Sequence, residues 1–242
     1  MRHPIALLDE IYRDYVGGES LNILTKRYGL PKSTIHYHVN YRRGIKKVVY
    51  LKQFKNFDDF YLGVFLGLWA GDGTKTLDKH NRTYSIRVSF GINDARAIFL
   101  FKKSTDFLFG LKPYVFTYRK NQLILRLLSK FVFQTLDRYL VTAKPKTLNI
   151  CLKKPPGKYS ASFQKGFLIG LALSDGSLKG TRFCFSTISE HLANQFCVLA
   201  VAFGFHPTKY LQLRKEPNWN PIWRVNLGVK ETRLFKAFLL AG

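Results

Sequence analysis

The chain contains one stretch of sequence twice, and this internal repeat limits the folds open to it more than any other feature. Residues 61–75 read YLGVFLGLWAGDGTK and residues 164–179 read QKGFLIGLALSDGSLK, which aligns Asp72 with Asp175, 103 residues further along. A second match follows in the same order, FGLKP at 109–113 and FGFHP at 203–207. Because each match alone arises by chance far more easily than both together, the pair indicates a duplicated structural unit.

Both copies predict the same order of elements. In the first copy these are a helix over 58–71, a hairpin ending in YSIRVSF, a helix over 94–110, a hairpin of YVFTYRK and QLILRLL, and a helix over 130–140. In the second they are a helix over 161–174, a strand TRFCFST, a helix over 189–204, strands KYLQLRK and IWRVNL, and a helix over 229–240. We therefore predict an α+β fold of two pseudo-symmetric αββαββα repeats, in which helices back antiparallel hairpins.

The remaining sequence predicts two further parts. Residues 58–140 and 161–242 hold the repeats, and residues 141–160 are rich in lysine and proline without strong periodicity, which indicates a linker. Residues 1–57 have no counterpart in either repeat. They predict a separate, small all-α N-terminal module.

Small residues recur every four positions in the first helix of each repeat. They are Gly63, Gly67 and Gly71 in the first copy, and Gly166, Gly170 and Ser174 in the second. Glycine inside a helix costs ~1 kcal/mol relative to alanine, so its regular placement needs a reason. Residues four apart share one helical face, and a face of small residues lets two helix backbones approach closely. We expect the two helices to pack along these faces.

Side-by-side parallel packing would bring Asp72 and Asp175 together at the two helix C-termini. Two carboxylates there repel each other and the helix dipoles, and a divalent cation would relieve both. The free carbonyls of Gly71 and Ser174 offer further oxygen ligands, and such a set favours Mg²⁺ or Mn²⁺ over Zn²⁺. The alternative is an ordinary helix end, where aspartate and glycine favour the turn.

The composition of the chain indicates which class of molecule it binds. Lys and Arg number 39 against 15 Asp and Glu, a net charge of +24, which points to nucleic acid first and an anionic membrane surface second. Three cysteines, Cys151, Cys184 and Cys197, exclude a disulfide scaffold and a C-x-x-C zinc site, and favour a reducing compartment. We expect no secretion signal and no membrane span, and a cytoplasmic, nucleoid-associated or organellar location.

The two aspartate motifs carry a family resemblance. FLGLWAGDG at 65–73 and LIGLALSDG at 168–176 resemble the paired motifs of single-chain LAGLIDADG homing endonucleases, over about residues 58–240. The resemblance implies a saddle-shaped antiparallel sheet on duplex DNA, catalytic metal ions bound by Asp72 and Asp175, and double-strand cleavage at a long, nearly asymmetric site with short 3′ overhangs. Ala70 and Leu173 replace an inner aspartate that is less essential in the family.

One departure from the family pattern concerns water activation. Many members carry glutamine or lysine near the end of the second strand, where this chain reads FGIND at 90–94 and STISE at 186–190. Four lysines are candidate substitutes that could stabilise charge on the reacting phosphate: Lys75, Lys179, Lys130 and Lys230. The alternative for each is a phosphate contact or a solvated charge.

Strand alternation predicts a DNA-binding face. Residues two apart share a face of a strand, which separates Tyr84, Ile86, Val88 and Phe90 from outward-facing polar residues. The predicted DNA contacts on the strands are Ser85, Arg87, Ser89, Thr117, Arg119, Arg126, Arg182, Ser186, Tyr210, Gln212, Arg214, Arg224 and Asn226. Arginine and glutamine read guanine and adenine edges in the major groove. The alternative is an ordinary solvated sheet face.

The N-terminal module resembles a helix-turn-helix. ALLDEIYRDYVGG predicts one helix, Ser20 begins LNILTKRYG, and KSTIHYHVNYRR follows the turn at Gly29. Its predicted DNA contacts are Lys32, Ser33, Thr34, His36, Tyr37 and Arg42. The alternative is a small helical packing module.

Together these features predict a monomeric, Mg²⁺-dependent, site-specific endonuclease of double-stranded DNA, intron-encoded by resemblance, that requires no protein partner. Two alternatives stay open. One is a regulator on the same scaffold that binds DNA without cutting it, which retention of both aspartates disfavours. The other is a maturase that binds intron RNA, since charge does not separate RNA from DNA. A membrane-surface protein is remote because no basic amphipathic helix stands out.

Overall fold

A computed structural model describes residues 4–42, 53–80, 83–117, 121–214 and 219–240, without the side chains of residues 5, 40–42 and 179. The chain divides into two compact units, Met1–Tyr50 and Leu51–Gly242. The division falls seven residues before the predicted one because Phe54 packs on Phe109 and Phe131, with ring centroids 5.5 and 5.2 Å away. The backbone N–H of Lys55 also donates to the carbonyl of Leu108 at 2.7 Å.

Residues 4–42, the described part of the smaller unit, contain three helices. They are α1 (Ile5–Val16), α2 (Leu21–Tyr28) and α3 (Lys32–Arg42). Ser20 caps α2, and Gly29 ends it in the left-handed conformation with φ of 63°, which glycine adopts without steric cost. A core of its own holds the unit together: Leu8, Ile11, Leu24, Leu30, Ile35 and Val39.

The larger unit contains the two repeats in the predicted order. The first comprises α4 (Asp59–Asp72), β1 (Gly73–Asp78), β2 (Thr83–Gly91), α5 (Ala95–Phe109), β3 (Tyr114–Thr117), β4 (Gln122–Leu128) and α6 (Lys130–Tyr139). A connection then holds β5 (Leu140–Val141), α7 (Lys146–Asn149), β6 (Cys151–Leu152) and a 3₁₀ turn (Pro156–Lys158). The second repeat comprises α8 (Ala161–Ser174), β7 (Gly176–Lys179), β8 (Arg182–Thr187), α9 (Glu190–Ala202), β9 (Thr208–Gln212), β10 (Ile222–Leu227) and α10 (Val229–Leu240).

Each repeat forms a four-stranded antiparallel sheet, ordered β1-β2-β4-β3 in the first and β7-β8-β10-β9 in the second. The inward positions of the strands are apolar, as alternation requires, and one continuous core spans both repeats. The α+β fold class predicted from the sequence is therefore confirmed.

The connection between the repeats is more ordered than its composition suggests. Ile150 and Leu152 are buried in the core, and β5 pairs with β6 in a short antiparallel ladder. The side-chain amide of Gln195 on α9 also satisfies both backbone polar groups of Leu152, at 2.7 and 3.0 Å. Residues 146–152 are thereby anchored to the second repeat.

Candidate active site at the ends of the paired helices

Helices α4 and α8 pack with their backbones in direct contact. A Cβ placed on Gly63 would lie 2.3 Å from the carbonyl oxygen of Phe163, and one on Gly67 would lie 2.5 Å from that of Phe167. Gly166 and Gly170 meet α4 in the same way, with Cβ positions 2.1 and 2.6 Å from backbone oxygens. No real Cβ occupies such distances, so these four positions require glycine.

The contacts also fix the direction of the two helices. Gly63 lies against Phe163 and Gly166, and Gly67 lies against Phe167 and Gly170, so both chains advance the same way. The helices are parallel, and their C-termini meet at Gly71 and Ser174. Two helix dipoles therefore place their negative ends side by side.

Asp72 and Asp175 occupy these adjoining ends. Asp72 is the last residue of α4, and Asp175 follows α8 as its C-cap. A Cβ on Gly71 would lie 3.0 Å from Oδ2 of Asp175, which shows how closely the second carboxylate approaches the end of the first helix. Both side chains are partly buried in the larger unit.

The electrostatics of the two carboxylates are unfavourable. Burial, and then repulsion from Asp175, raise the pKa of Asp72 to about 7. Burial raises the pKa of Asp175 to about 6, although the nearby Lys146 ammonium acts in the opposite direction. Both groups therefore resist ionisation, as carboxyls do when they lack solvent and share a site.

The donor set at this point suits a hard cation. Carboxylate oxygens are the ligands that Mg²⁺ and Mn²⁺ prefer, and Mg²⁺ is often held by only one or two carboxylates, with water and substrate phosphates completing the shell. Among the described residues, no group of three or more His, Cys, Asp or Glu side chains could hold a metal. The arrangement thus fits a metal shared with a phosphate substrate and does not fit a closed structural site.

One charged group at this site, Lys146, was not among the residues predicted from the sequence. This residue begins α7 in the connection, and its Nζ donates to three backbone carbonyls at the end of α4: Trp69 at 2.9 Å, Gly71 at 3.3 Å and Gly73 at 2.5 Å. The ammonium also lies 4.4 Å from the ring centroid of Trp69. Burial lowers its pKa to about 8, against the pull of Asp175 and Asp72.

Lys146 changes the part that Gly71 can play. The Gly71 carbonyl, a predicted metal ligand, accepts a hydrogen bond from Lys146 at 3.3 Å, which leaves it one of its two lone pairs. The Ser174 hydroxyl donates to the carbonyls of Gly170 and Leu171 in its own helix, and the Ser174 carbonyl stays a predicted ligand. The carboxylates of Asp72 and Asp175 are the charged oxygen donors at the helix ends.

A cavity of about 260 Å³ opens beside Asp175. Its wall combines Gly71 and Lys146 with polar residues of the second repeat, among them Ser186 and Arg214. The Arg214 Nε is buried and has no hydrogen-bond partner among the described residues, while its guanidinium carbon lies 4.7 Å from the ring centroid of Trp219. This cavity places a guanidinium and a carboxylate in one recess, a combination suited to a phosphate and its metal ion.

The candidate catalytic lysines lie in different surroundings. Lys75 faces the helix side of the sheet, where its ammonium pairs with Asp137 and contacts the Thr142 hydroxyl at 2.9 Å. That pairing explains its position better than a catalytic role does. Lys130 and Lys230 are exposed at the start of α6 and α10, and the Lys179 side chain lies outside the described residues.

On the first sheet, Arg87 and Arg126 face each other directly across β2 and β4. Arg87 is exposed, whereas Arg126 is partly buried and donates from Nε to the hydroxyl of Ser85 at 2.9 Å. The expectation that Ser85 is open to a partner is therefore wrong, because Arg126 covers it and leaves it 2% exposed. Ser89 is partly buried, Thr117 is exposed, and Arg119 lies outside the described residues.

On the second sheet, Arg224 organises a polar network. Its Nη1 donates to Ser186 Oγ at 2.6 Å and its Nε to Gln212 Oε1 at 2.9 Å. Tyr210 stands directly opposite Arg224 on β9 and is exposed. Arg182 is exposed at the start of β8, and Asn226 is partly buried.

Within the smaller unit, α3 presents a polar surface. Lys32, Ser33, His36 and Tyr37 are exposed and Thr34 is partly buried, while Ile35 and Val39 face the core. The Lys32 ammonium donates to Asn22 Oδ1 at 2.8 Å, which ties the start of α3 to α2. The Arg42 side chain lies outside the described residues.

Comparison with known proteins bears on the fold. Residues 162–238 match the family described as LAGLIDADG-like domain. No curated protein compared with the sequence matches it significantly. Within the described part of the chain, no helix is long and apolar enough to cross a membrane.

Solved structures of the homing endonuclease I-DmoI resemble the chain over most of their length. A complex of I-DmoI with DNA and Mn superposes with a TM-score of 0.56 at 16% identity, covering 76% of this chain and 98% of that one. Mesophilic variants of I-DmoI give a TM-score of 0.54 at 15% identity, covering 76% of this chain and 97% of theirs. A G20S variant with its target DNA and Mg gives 0.54 at 14% identity, with coverages of 76% and 97%. The chain therefore has the LAGLIDADG fold.

Proposed function

We propose that this protein is a metal-dependent endonuclease that cuts both strands of a specific DNA duplex. The observation that carries the proposal is the pair of partly buried carboxylates, Asp72 and Asp175, held together at the ends of two parallel helices. A fold alone would not require acidic residues at this unfavourable position. Their retention in both repeats has a chemical reason if they share a cation with a phosphate.

In this mechanism Asp72 and Asp175 would hold the metal, Mg²⁺ or Mn²⁺. When bound, such an ion would lower the pKa of water and offset the charge that develops on a phosphodiester. The glycine faces of α4 and α8 keep the two carboxylates close enough to share a cation. Arg214, in the cavity beside Asp175, is positioned to contact a backbone phosphate.

The sheets are the proposed surface for reading the duplex. Arg87 and Arg126 form a cross-strand pair in the first sheet, and the register places Cys184 and Asn226 at the matching pair in the second. Arg224 corresponds in the register to the apolar Ile124 of the first sheet, although its neighbour Ser186 corresponds to another serine, Ser89. Since the two sheets present different hydrogen-bonding groups, they favour a target whose halves differ in sequence.

Two further assignments belong to this proposal. Both carboxylates come from one chain, so a monomer has a complete site and requires no protein partner. The exposed residues of α3, with Lys32 and Ser33 at its start, make the smaller unit a second contact with DNA, in the manner of a helix-turn-helix. This contact would add affinity to the recognition made by the sheets.

A cleavage assay on a randomised duplex library tests the proposal. The protein is incubated with the library in Mg²⁺ and, separately, in Ca²⁺, and the cut ends are sequenced. We expect discrete cuts on both strands of one long sequence in Mg²⁺, with short 3′ overhangs. Ca²⁺ is the control because it occupies oxygen sites with looser geometry. Sequence-specific binding without cuts in Mg²⁺ or Mn²⁺ would instead identify a regulator, and preference for structured RNA would identify a maturase.

A further inference from the structure

The ammonium of Lys146 has a hydrogen-bond acceptor for each of its N–H groups. Its three ammonium N–H groups have three acceptors, the carbonyls of Trp69, Gly71 and Gly73, and the Trp69 ring covers another side. An ammonium has no further donor to offer. Lys146 is therefore not arranged to bind a phosphate, even though it lies beside both carboxylates.

The segment that carries Lys146 is fixed from the other side. Ile150 and Leu152 are buried, Gln195 bonds both backbone groups of Leu152, and the Ser189 hydroxyl donates to the carbonyl of Ile150 at 2.8 Å. The connection is thus anchored on the second repeat, while Lys146 reaches the end of the first repeat's helix. Its positive charge is held in place and cannot swing into solvent without breaking three hydrogen bonds.

A fixed positive charge beside the two carboxylates affects how tightly they bind a cation, and the inference drawn from it rests on the proposed function. We propose that Lys146 is a resident cation of the carboxylate site, which keeps the affinity of Asp72 and Asp175 for a divalent metal low in the absence of DNA. It offsets part of the charge of the two carboxylates and takes up one of the two lone pairs of the Gly71 carbonyl, a predicted metal ligand. By Coulomb's law, a single and a double positive charge at a separation of roughly 6 Å repel enough to lower affinity about tenfold, even at the screening of water.

If Lys146 were only a structural cap on α4, its replacement would change metal affinity in the opposite direction. If Lys146 only held the end of α4 in place, its loss would let Asp72 move and would weaken metal binding. If Lys146 competes with the metal, removal of its charge strengthens metal binding. The direction of the change in affinity therefore separates the two roles without any measurement of cleavage.

The test is a calorimetric titration of the full chain with Ca²⁺ at pH 7, without DNA. Lys146→Gln removes the charge and keeps an amide that can donate to the helix-end carbonyls, whereas Lys146→Arg keeps the charge. Lys154→Gln is the matched control, because Lys154 is exposed in the same connection. We expect Lys146→Gln to bind Ca²⁺ severalfold more tightly than the wild type, short of the full tenfold because its carboxyls also hold protons more tightly, and the other two variants to bind within twofold of the wild type.

Each other result has a distinct meaning. Equal or weaker binding by Lys146→Gln, with circular dichroism showing a folded protein, would overturn the role of Lys146 while leaving the endonuclease proposal intact. Absence of Ca²⁺ binding in the wild type and in all three variants would overturn the role of Lys146, while the endonuclease proposal would still be decided by the cleavage assay, in which DNA phosphates complete the metal shell. A similar gain in Lys154→Gln would show that net charge acts in place of the charge at position 146.

Discussion

Replacement of Asp72 by asparagine should stabilise the metal-free protein while it removes a ligand of the proposed site. In the unfolded chain the carboxyl of Asp72 has a pKa near 3.8, and in the folded protein burial and then Asp175 raise that pKa to about 7. The folded state therefore binds the proton more tightly, so stability is fully present below pH 3.8 and is lost as the pH rises through 7. At 1.36 kcal/mol per pKa unit, the loss is about 4 kcal/mol.

Asparagine resembles protonated aspartate in size and charge but does not ionise. The variant therefore keeps the stability that the wild type loses when Asp72 ionises. Asp72→Asn should therefore raise the free energy of unfolding by about 3–4 kcal/mol at pH 8 and change it little at pH 3.5. With a urea dependence near 2–3 kcal/mol per molar, the midpoint should move up by about 1–2 M. Because the stabilisation follows the ionisation of Asp72, the difference in the free energy of unfolding between the wild type and Asp72→Asn should grow mainly between pH 4 and pH 7.

Urea unfolding in EDTA, followed by tryptophan fluorescence, measures this directly. The three tryptophans, Trp69, Trp219 and Trp223, all belong to the larger unit, so the signal reports the unit that contains the site. Asp106→Asn is the matched control, because Asp106 is exposed on α5 and should give a change below about 0.5 kcal/mol. If Asp72→Asn unfolds at the same or a lower urea concentration than the wild type at pH 8, the ionised Asp72 does not destabilise the folded protein.

Three further predictions concern packing, charge pairing and recognition. Gly67→Ala should cost about 2–3 kcal/mol of stability in urea unfolding, because its Cβ would lie 2.5 Å from a backbone oxygen, whereas Gly157→Ala, with nothing within 4 Å, should change it by less than about 0.5 kcal/mol. Lys75→Met should cost about 1 kcal/mol at pH 7, and the loss should vanish in acid, because Lys75 lowers the pKa of Asp137 against the effect of burial and the pair is lost once that carboxyl is protonated. Arg224→Ala should weaken discrimination at one or two base pairs of the selected target by about 1–3 kcal/mol in competition binding, and uniform weakening across sequences would assign Arg224 to the phosphates.

Much of the fold could be predicted because the signal was local and present twice. The helical spacing of Gly63 and Gly67 recurs at Gly166 and Gly170, and close helix packing follows from side-chain size alone. Parallel packing then places Asp72 beside Asp175 without any knowledge of the rest of the chain. Strand alternation likewise separates the buried Ile86, Val88 and Phe90 from the exposed Arg87, although it gave no sign that Arg126 covers Ser85.

What the sequence did not reveal depends on long-range contacts. Lys146 is one of 39 basic residues and lies in a stretch without periodicity, so nothing local distinguishes it. The two apolar residues that follow, Ile150 and Leu152, were the available sign that this stretch packs against the core. Lys75 pairs with Asp137, which lies 62 residues further along the chain, and such pairings are set by the tertiary fold.

The role of Asp72 and Asp175 in DNA cleavage is tested by strand-resolved sequencing of the products from the duplex selected in the library assay. The wild type and the Asp72→Asn/Asp175→Asn double variant are compared side by side. We expect the wild type to cut both strands at fixed positions in Mg²⁺, and the double variant to bind the same duplex without cutting it. Cleavage by the double variant at the wild-type rate would exclude the proposed role of the two carboxylates, and a wild type that binds the duplex in Mg²⁺ and Mn²⁺ and leaves it intact would exclude the endonuclease.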